Sequence, residues 1–399
     1  MTTNEAVKNL STGLLAALAL MTAAGPLGID MYLPGLPTLA EDLNTTAAMT
    51  QFTITGFMVG MAVGNLLLGA ISDSTGRKRP IVTASAVFFV ASVLCAIAPS
   101  IEFLIAARML QGLAGGTAMV VARAIIPDIA HGNEAAKAFS VMMAITGFAP
   151  AIAPVVGSLL LPTFGWRGVF WLLAIINLLQ VLVGVLWIKE TLPVANRSAG
   201  AVRNLFPRIW LCLKRPEFVG YMLASGMGFG ALFSYISGSP LVLQSQLGVS
   251  PALYGVIFGS MALLLPVSNM LNIRAVNRFS PHTLLRVALA ADLLAGAALL
   301  VLSRFHPPLV LVIPFLAVFS LMAGLIMPNA TALGVETVRD IGSGAGNGAM
   351  GFFQFIVAGT AAPLVALGSN HLLTLGLCVV AWATAALLAL RLLSAKSAR

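Results

Sequence analysis

Apolar runs of about eighteen residues or more recur along the chain, joined by short polar connections, and within a run polar and apolar positions do not alternate. A helix of that length crosses the hydrocarbon core of a bilayer, whereas strict alternation over about ten residues would mark a membrane barrel. The pattern predicts twelve spanning helices, at 10–35, 47–70, 81–98, 102–125, 137–161, 167–188, 217–239, 251–273, 283–303, 308–333, 343–367 and 371–393. One connection is longer. Residues 189–216, KETLPVANRSAGAVRNLFPRIWLCLKRP, are polar, basic and proline-containing, and they divide the spans six and six. The predicted organisation is residues 1–188 as an N-terminal six-helix half, 189–216 as a central loop and 217–399 as a C-terminal six-helix half, all-α throughout.

Composition removes the soluble alternatives. Hydrophobic residues make up 59% of the 399 and charged residues 9%, against about 25% charged in a typical soluble domain. The net charge of +9 would suit nucleic acid, but no basic cluster carries interleaved aromatics. The cations instead sit at the termini and in alternate connections. Lys8, Arg77–Arg79, Arg123, Lys137, the six of the central loop, Arg274, Arg278, Arg286, Arg339, Arg391, Lys396 and Arg399 share one side, while Arg167 and Arg304 hold the other. That asymmetry predicts both termini in the cytoplasm. Thr22-Ala23-Ala24 imitates a signal-peptidase site, but the apolar run continues past it, so no cleavage is expected. Cys95, Cys212 and Cys378 are scattered and suggest neither a disulfide framework nor a metal cluster.

Against this background Asp30 stands out, inside LLAALALMTAAGPLGIDMYLPGLP. An acid at the centre of a spanning helix costs about 2.5–3.5 kcal/mol on insertion scales, and chains that keep one commonly use it for protons or ions. Arg108 lies within the fourth span, and opposite run directions put both residues in the periplasmic half. A carboxylate balanced between desolvation and a nearby cation can take up and release a proton; a structural ion pair between two helices is the other reading. Asp292 in the ninth span is the second intramembrane acid, with structural and coupling roles both open. Gly346-Asn-Gly348-Ala-Met-Gly351 matches G-x-G-x-x-G, but it opens an apolar helix with no strand before it, so close helix packing explains it. No Walker loop or HExxH is present, and no cofactor is expected.

The connection after the second span reads Gly69-Ala-Ile-Ser-Asp73-Ser-Thr-Gly76-Arg77-Lys78-Arg79-Pro80. It resembles the signature loop of the major facilitator superfamily, G-x-x-x-D-x-x-G-R-[RK]-x. Ile29-Asp30-Met31-Tyr32-Leu33-Pro34-Gly35-Leu36-Pro37 resembles the first-helix end of the bicyclomycin/chloramphenicol-resistance (Bcr/CflA) drug:proton antiporters, and Tyr235-Ile-Ser-Gly-Ser-Pro240 looks like the same group. Arg108-Met-Leu-Gln111-Gly112 resembles the superfamily's buried-arginine motif. Gly147-Phe-Ala-Pro150-Ala-Ile-Ala-Pro154-Val-Val-Gly157 resembles the antiporter motif of the fifth helix, departing at Ala149 and Ser158, where glycine is common.

The resemblance implies a major facilitator fold and proton-coupled export of small, largely apolar drugs or metabolites across the bacterial inner membrane. Uptake by a symporter or facilitator of the same fold is the alternative, and an enzyme is not expected. It implies coupling at Asp30 and Arg108, a cavity lined by spans one, four, seven and ten with Tyr32, Gln111, Phe233, Tyr235 and Asn329 as candidate contacts, and a cytoplasmic gate. In that gate Asp73 meets the start of span eleven at Gly342-Ser-Gly344, and Arg77 pairs with Asp128. Partners expected are substrate, protons and membrane lipid, with the protein a monomer.

Overall fold

The computed structural model describes residues 12–198 and 200–394; Lys8, Lys396 and Arg399 of the charge asymmetry lie outside them. Eleven helices among the described residues are long and apolar enough to cross a membrane: Gly13–Asp42, Ala47–Thr75, Lys78–Ala96, Ile101–Ile129, Gly132–Trp187, Pro216–Gln246, Pro251–Ala275, Pro281–Leu302, Leu309–Thr337, Arg339–Val365 and His371–Leu393. The fifth is 56 residues long, which at 1.5 Å per residue is about 84 Å, nearly three bilayer cores. Gly165, at φ 61° and ψ −171°, breaks it into 132–164 and 166–187, a backbone conformation only glycine adopts at little cost. Twelve crossings result, as the apolar pattern predicts, and no strand occurs among the described residues. They are called spans one to twelve in chain order.

Several starts are set by short polar residues ahead of the apolar run. Thr46, Ser100, Ser250 and Ser280 each accept a bond from a backbone N–H three residues on, relieving one of the unpaired donors of a first turn. Spans two and four meet backbone to backbone. A Cβ at Gly60, Gly64 or Gly112 would overlap the carbonyl oxygens of Met109, Leu113 and Phe57 respectively, and Gly116 lies against Met61. Small residues permit this approach, which carries helix association in lipid where no hydrophobic drive separates helix from tail.

The halves join where span two packs on span eleven and span five on span eight. Ser158, a departure from the antiporter pattern, packs on Gly255, while Gly259 rests on the Ala151 carbonyl. The glycine missing at position 158 is thus met by Gly255 of span eight.

The two ends of this joint differ. At the end away from the signature loop, Gln51 donates to the Ser237 carbonyl (3.0 Å), Thr55 to the Gly359 carbonyl (2.7 Å) and Gln244 to the Pro34 carbonyl (3.3 Å). At the signature-loop end a cavity of about 520 Å³ separates spans two and four from span eleven. The central loop contributes a helix, Ala201–Leu213, that packs on both sides of this opening.

Candidate functional site

A second cavity, of about 200 Å³, lies at mid-depth between the halves. Its walls are apolar and sulfur-rich: Met58, Met61 and Met119 face Phe229, Phe233 and Phe355, with Tyr235 and Pro150 completing them. Asp30 reaches the same space from span one. It is buried, at 6% exposure. Among the described residues it accepts no hydrogen bond and forms no ion pair, so the shared depth that the sequence predicts for Asp30 and Arg108 does not join the two side chains in this conformer.

Arg108 has other partners. It is wholly buried; one Nη donates to the Gly28 carbonyl (2.8 Å) and to Gln111 Oε1 (2.5 Å). Its guanidinium lies over Phe57 at 4.3 Å, Tyr32 at 4.9 Å and Phe170 at 5.6 Å from the ring centres. Nε and the second Nη have no hydrogen-bond acceptor among the described residues, so aromatic faces supply much of the stabilisation. Gln111 passes the network on to Ser92 (2.7 Å), which also accepts from Asn177 (2.8 Å).

Of the five candidate cavity contacts, Phe233 and Tyr235 line the space. Tyr32 packs on Phe170 and bonds Thr53; Gln111 is held by Arg108 and Ser92; Asn329 donates to Asn272 Oδ1 (2.7 Å) and to the Leu325 carbonyl (2.8 Å). These three hold helices together in this conformer, because each finds a polar partner on a neighbouring helix. Asp292, 1% exposed, lies away from the cavity lining in span nine, with Oδ1 lacking a partner.

The signature loop forms a dense charged cluster. Arg77 is buried and donates to Asp73 Oδ1 (2.6 Å), Ser72 Oγ (2.7 Å) and Asp128 Oδ2 (2.9 Å). Gly76 turns the chain at φ 101°, a conformation disfavoured for other residues, and a side chain there would collide with Glu190 and Arg197. Gly69 packs on Val120, and Arg79 points to the exposed surface. Asp73 does not cap span eleven here. It faces Gly344 and Ala345 across the 520 Å³ cavity, and its backbone carbonyl accepts from Ser198 N–H (2.9 Å). Span eleven itself starts at Arg339 and kinks at Gly342, φ 138°.

Glu190 is the residue sequence reasoning passed over. Its carboxylate accepts from the backbone N–H of Arg77 (2.8 Å), Leu192 (3.0 Å) and Lys78 (3.3 Å), and Arg197 lies 3.8 Å away. Burial alone would raise its pKa; those three N–H groups and Arg197 outweigh it and hold the carboxyl below its ordinary value. The available signal was that Glu190 is the only acid among six cations in 189–216.

In the fifth helix, Pro150 borders the central cavity, Gly157 lies against the Met31 carbonyl, and the Pro154 carbonyl accepts from Ser158 (2.6 Å). Gly147 has open space around its Cα.

Two six-helix halves around a cavity that holds a lone carboxylate describe a membrane transporter rather than an enzyme. The family model for the Major Facilitator Superfamily matches residues 18–363, and the chain belongs to that family. It is 33% identical over 90% of both chains to an uncharacterised MFS-type transporter, YdgK, of Bacillus subtilis. It is 28% identical to a bicyclomycin resistance protein homologue of Haemophilus influenzae, over 92% of this chain and 93% of that one. Multidrug resistance protein MdtL of Escherichia coli is 32% identical, over 76% and 77%. Among solved structures, a bacterial homologue of the human lysosomal transporter Spinster, inward-facing and unoccupied, superposes at a TM-score of 0.68 with 15% identity, over 98% of this chain and 96% of that one. The Escherichia coli xylose transporter XylE, partially occluded and inward open, gives 0.67 with 17% identity over 95% and 98%.

Proposed function

We propose that the protein is a proton-coupled antiporter that exports small, largely apolar drugs or metabolites across the bacterial inner membrane by alternating access, with both termini cytoplasmic. The observation that carries this reading is Asp30, a carboxylate with no hydrogen bond or ion pair among the described residues, in an apolar, methionine- and aromatic-lined cavity between the halves. Such walls adapt to varied ligands, and an acid there is placed to exchange a proton for a substrate. The resistance functions in the names of two relatives agree with it.

Arg108 acts on Asp30 from a distance in this conformer: by binding the Gly28 carbonyl it fixes the turn of span one that presents the carboxylate. With the signature loop cytoplasmic, the bonds at Gln51, Thr55 and Gln244 close the periplasmic side, and the 520 Å³ opening faces inward. In the outward-facing state Asp73 moves up to the start of span eleven, where free N–H groups favour an acid by about 0.3–1 kcal/mol.

The energetics suffice without a cofactor. One proton entering down ~100 mV supplies about 2.3 kcal/mol, and one pH unit adds about 1.4 kcal/mol. Together these sustain a gradient of roughly several hundred-fold in a neutral solute, at 1.4 kcal/mol per decade. Efflux of a neutral dye from energised cells, collapsed by a protonophore, is the test. Accumulation of the dye on energisation would instead make the protein a symporter.

A further inference from the structure

We propose that the groove between spans nine and twelve, at the signature-loop end, is a binding site for one anionic phospholipid. The groove is about 1010 Å³ and opens on the outside of the C-terminal half, away from the central cavity. Span nine starts at this end and span twelve finishes there. Each turns one stripe to the groove at helical spacing: Thr283, Arg286, Val287 and Ala290 from span nine, and Thr384, Leu387, Leu388 and Arg391 from span twelve.

Charge and apolarity are separated along its length. Arg286 and Arg391 stand at the membrane-surface end, and the apolar wall continues inward for about seven residues, roughly 10 Å at 1.5 Å per residue. Among the described residues no carboxylate lines the groove. Among the described residues neither arginine takes part in an ion pair or a hydrogen bond, whereas Arg77, Arg167, Arg197, Arg215 and Arg339 are all paired with acids.

Two free guanidiniums above an apolar slot match a phosphodiester carried on acyl chains. A soluble anion would satisfy the arginines but make no use of the apolar wall of Val287 (59% exposed) and Leu388 (51%). A zwitterionic lipid would fill the slot while setting its own cation against the two arginines. An anionic headgroup near a surface gains about 1 kcal/mol per Lys or Arg, which is about fivefold each. The inner leaflet as the source rests on the orientation proposed above; the preference for anionic lipid does not.

The full-length protein, reconstituted in nanodiscs of equimolar palmitoyl-oleoyl phosphatidylglycerol and phosphatidylcholine and then released gently, would be weighed by native mass spectrometry. Wild type should retain one phosphatidylglycerol in preference to phosphatidylcholine. Arg286→Gln/Arg391→Gln should lower that preference by about 25-fold, fivefold per arginine, and Arg286→Lys/Arg391→Lys should keep most of it. Val287→Trp, which fills the slot and leaves both charges, should reduce retention of both lipids, and it serves if the glutamine pair does not fold. Arg274→Gln/Arg278→Gln removes two other cations at the same end and should change nothing. Equal retention of the two lipids by wild type, an unchanged preference in the glutamine pair, or an equal loss in the Arg274/Arg278 variant would each overturn the site.

Discussion

Two regions where this chain keeps charge near or within the membrane treat it in opposite ways. At the signature loop the buried and half-buried charges are answered: Arg77 by Asp73 and Asp128, Glu190 by three backbone N–H groups and Arg197. At mid-depth, among the described residues, Asp30 has no hydrogen bond or ion pair, and two nitrogens of Arg108 have no acceptor. A saturated network resists change, because every bond lost leaves a partly buried group unpaired. An unsaturated carboxylate can change its protonation and its company at lower cost. The difference separates a part that holds a conformation from a part that can respond to one.

The comparison predicts a ranking of substitutions. Asp30→Asn should have the largest effect, taking a concentration gradient of roughly several hundred-fold to none while leaving exchange of neutral substrate in place. Active efflux at the wild-type rate by a well-expressed Asp30→Asn protein would move the coupling site to Asp292. Arg77→Gln comes next. It strips Asp128 of its cation and should cost about 1.5–3 kcal/mol of stability, read as a lower melting temperature in detergent; an unchanged melting temperature would mean that the network is idle. Phe233→Ala removes one cavity wall and should alter affinity for aromatic substrates by up to about tenfold, from about 0.5–1.5 kcal/mol per aromatic pair. A resistance profile across a compound panel should show a changed ranking rather than uniform loss.

Asp73→Asn is milder in this conformer, since the Asp73 side chain is half exposed and a surface pair contributes about 0–1 kcal/mol. Its effect should fall on the balance of states, widening the mean spin-label distance between the loop ends of spans two and eleven. No widening would place the gate elsewhere. The smallest effect concerns Glu190. Its pKa is lowered on folding from an ordinary 4.5, so its contribution is complete above that value and is lost as pH falls through the lower, folded value. Melting temperature against pH should therefore drop more steeply in acid for wild type than for Glu190→Gln.

The spans and the signature loop were legible in the sequence because each is local: an apolar run needs no partner to be seen, and Gly69, Asp73, Gly76 and Arg77 lie within nine residues of one another. The facing of individual side chains was not. Asn329 looks like a cavity residue until Asn272, on another helix, claims it. Tyr32 and Gln111 are drawn in the same way to Thr53, Arg108 and Ser92. Glu190 escaped notice because it meets Arg77 across 113 residues of chain. Polar side chains in lipid go wherever a partner waits, and only the assembled bundle shows where that is.

The glycine seam between spans two and four leaves no side-chain cushion between the two backbones, so the pair would turn as a single lever. Span two has 29 residues, a rod of about 43 Å. Tilting it by about 10° about its midpoint would carry each tip through about 4 Å, on the scale of a rigid-body switch between packed interfaces. That travel is enough to pull Gln51 away from the Ser237 carbonyl at one tip while swinging Asp73 toward Gly344 at the other. In the alternating access proposed above, stiffness at the seam would tie the two doors of the molecule to one motion, so that neither could be set ajar without moving its counterpart.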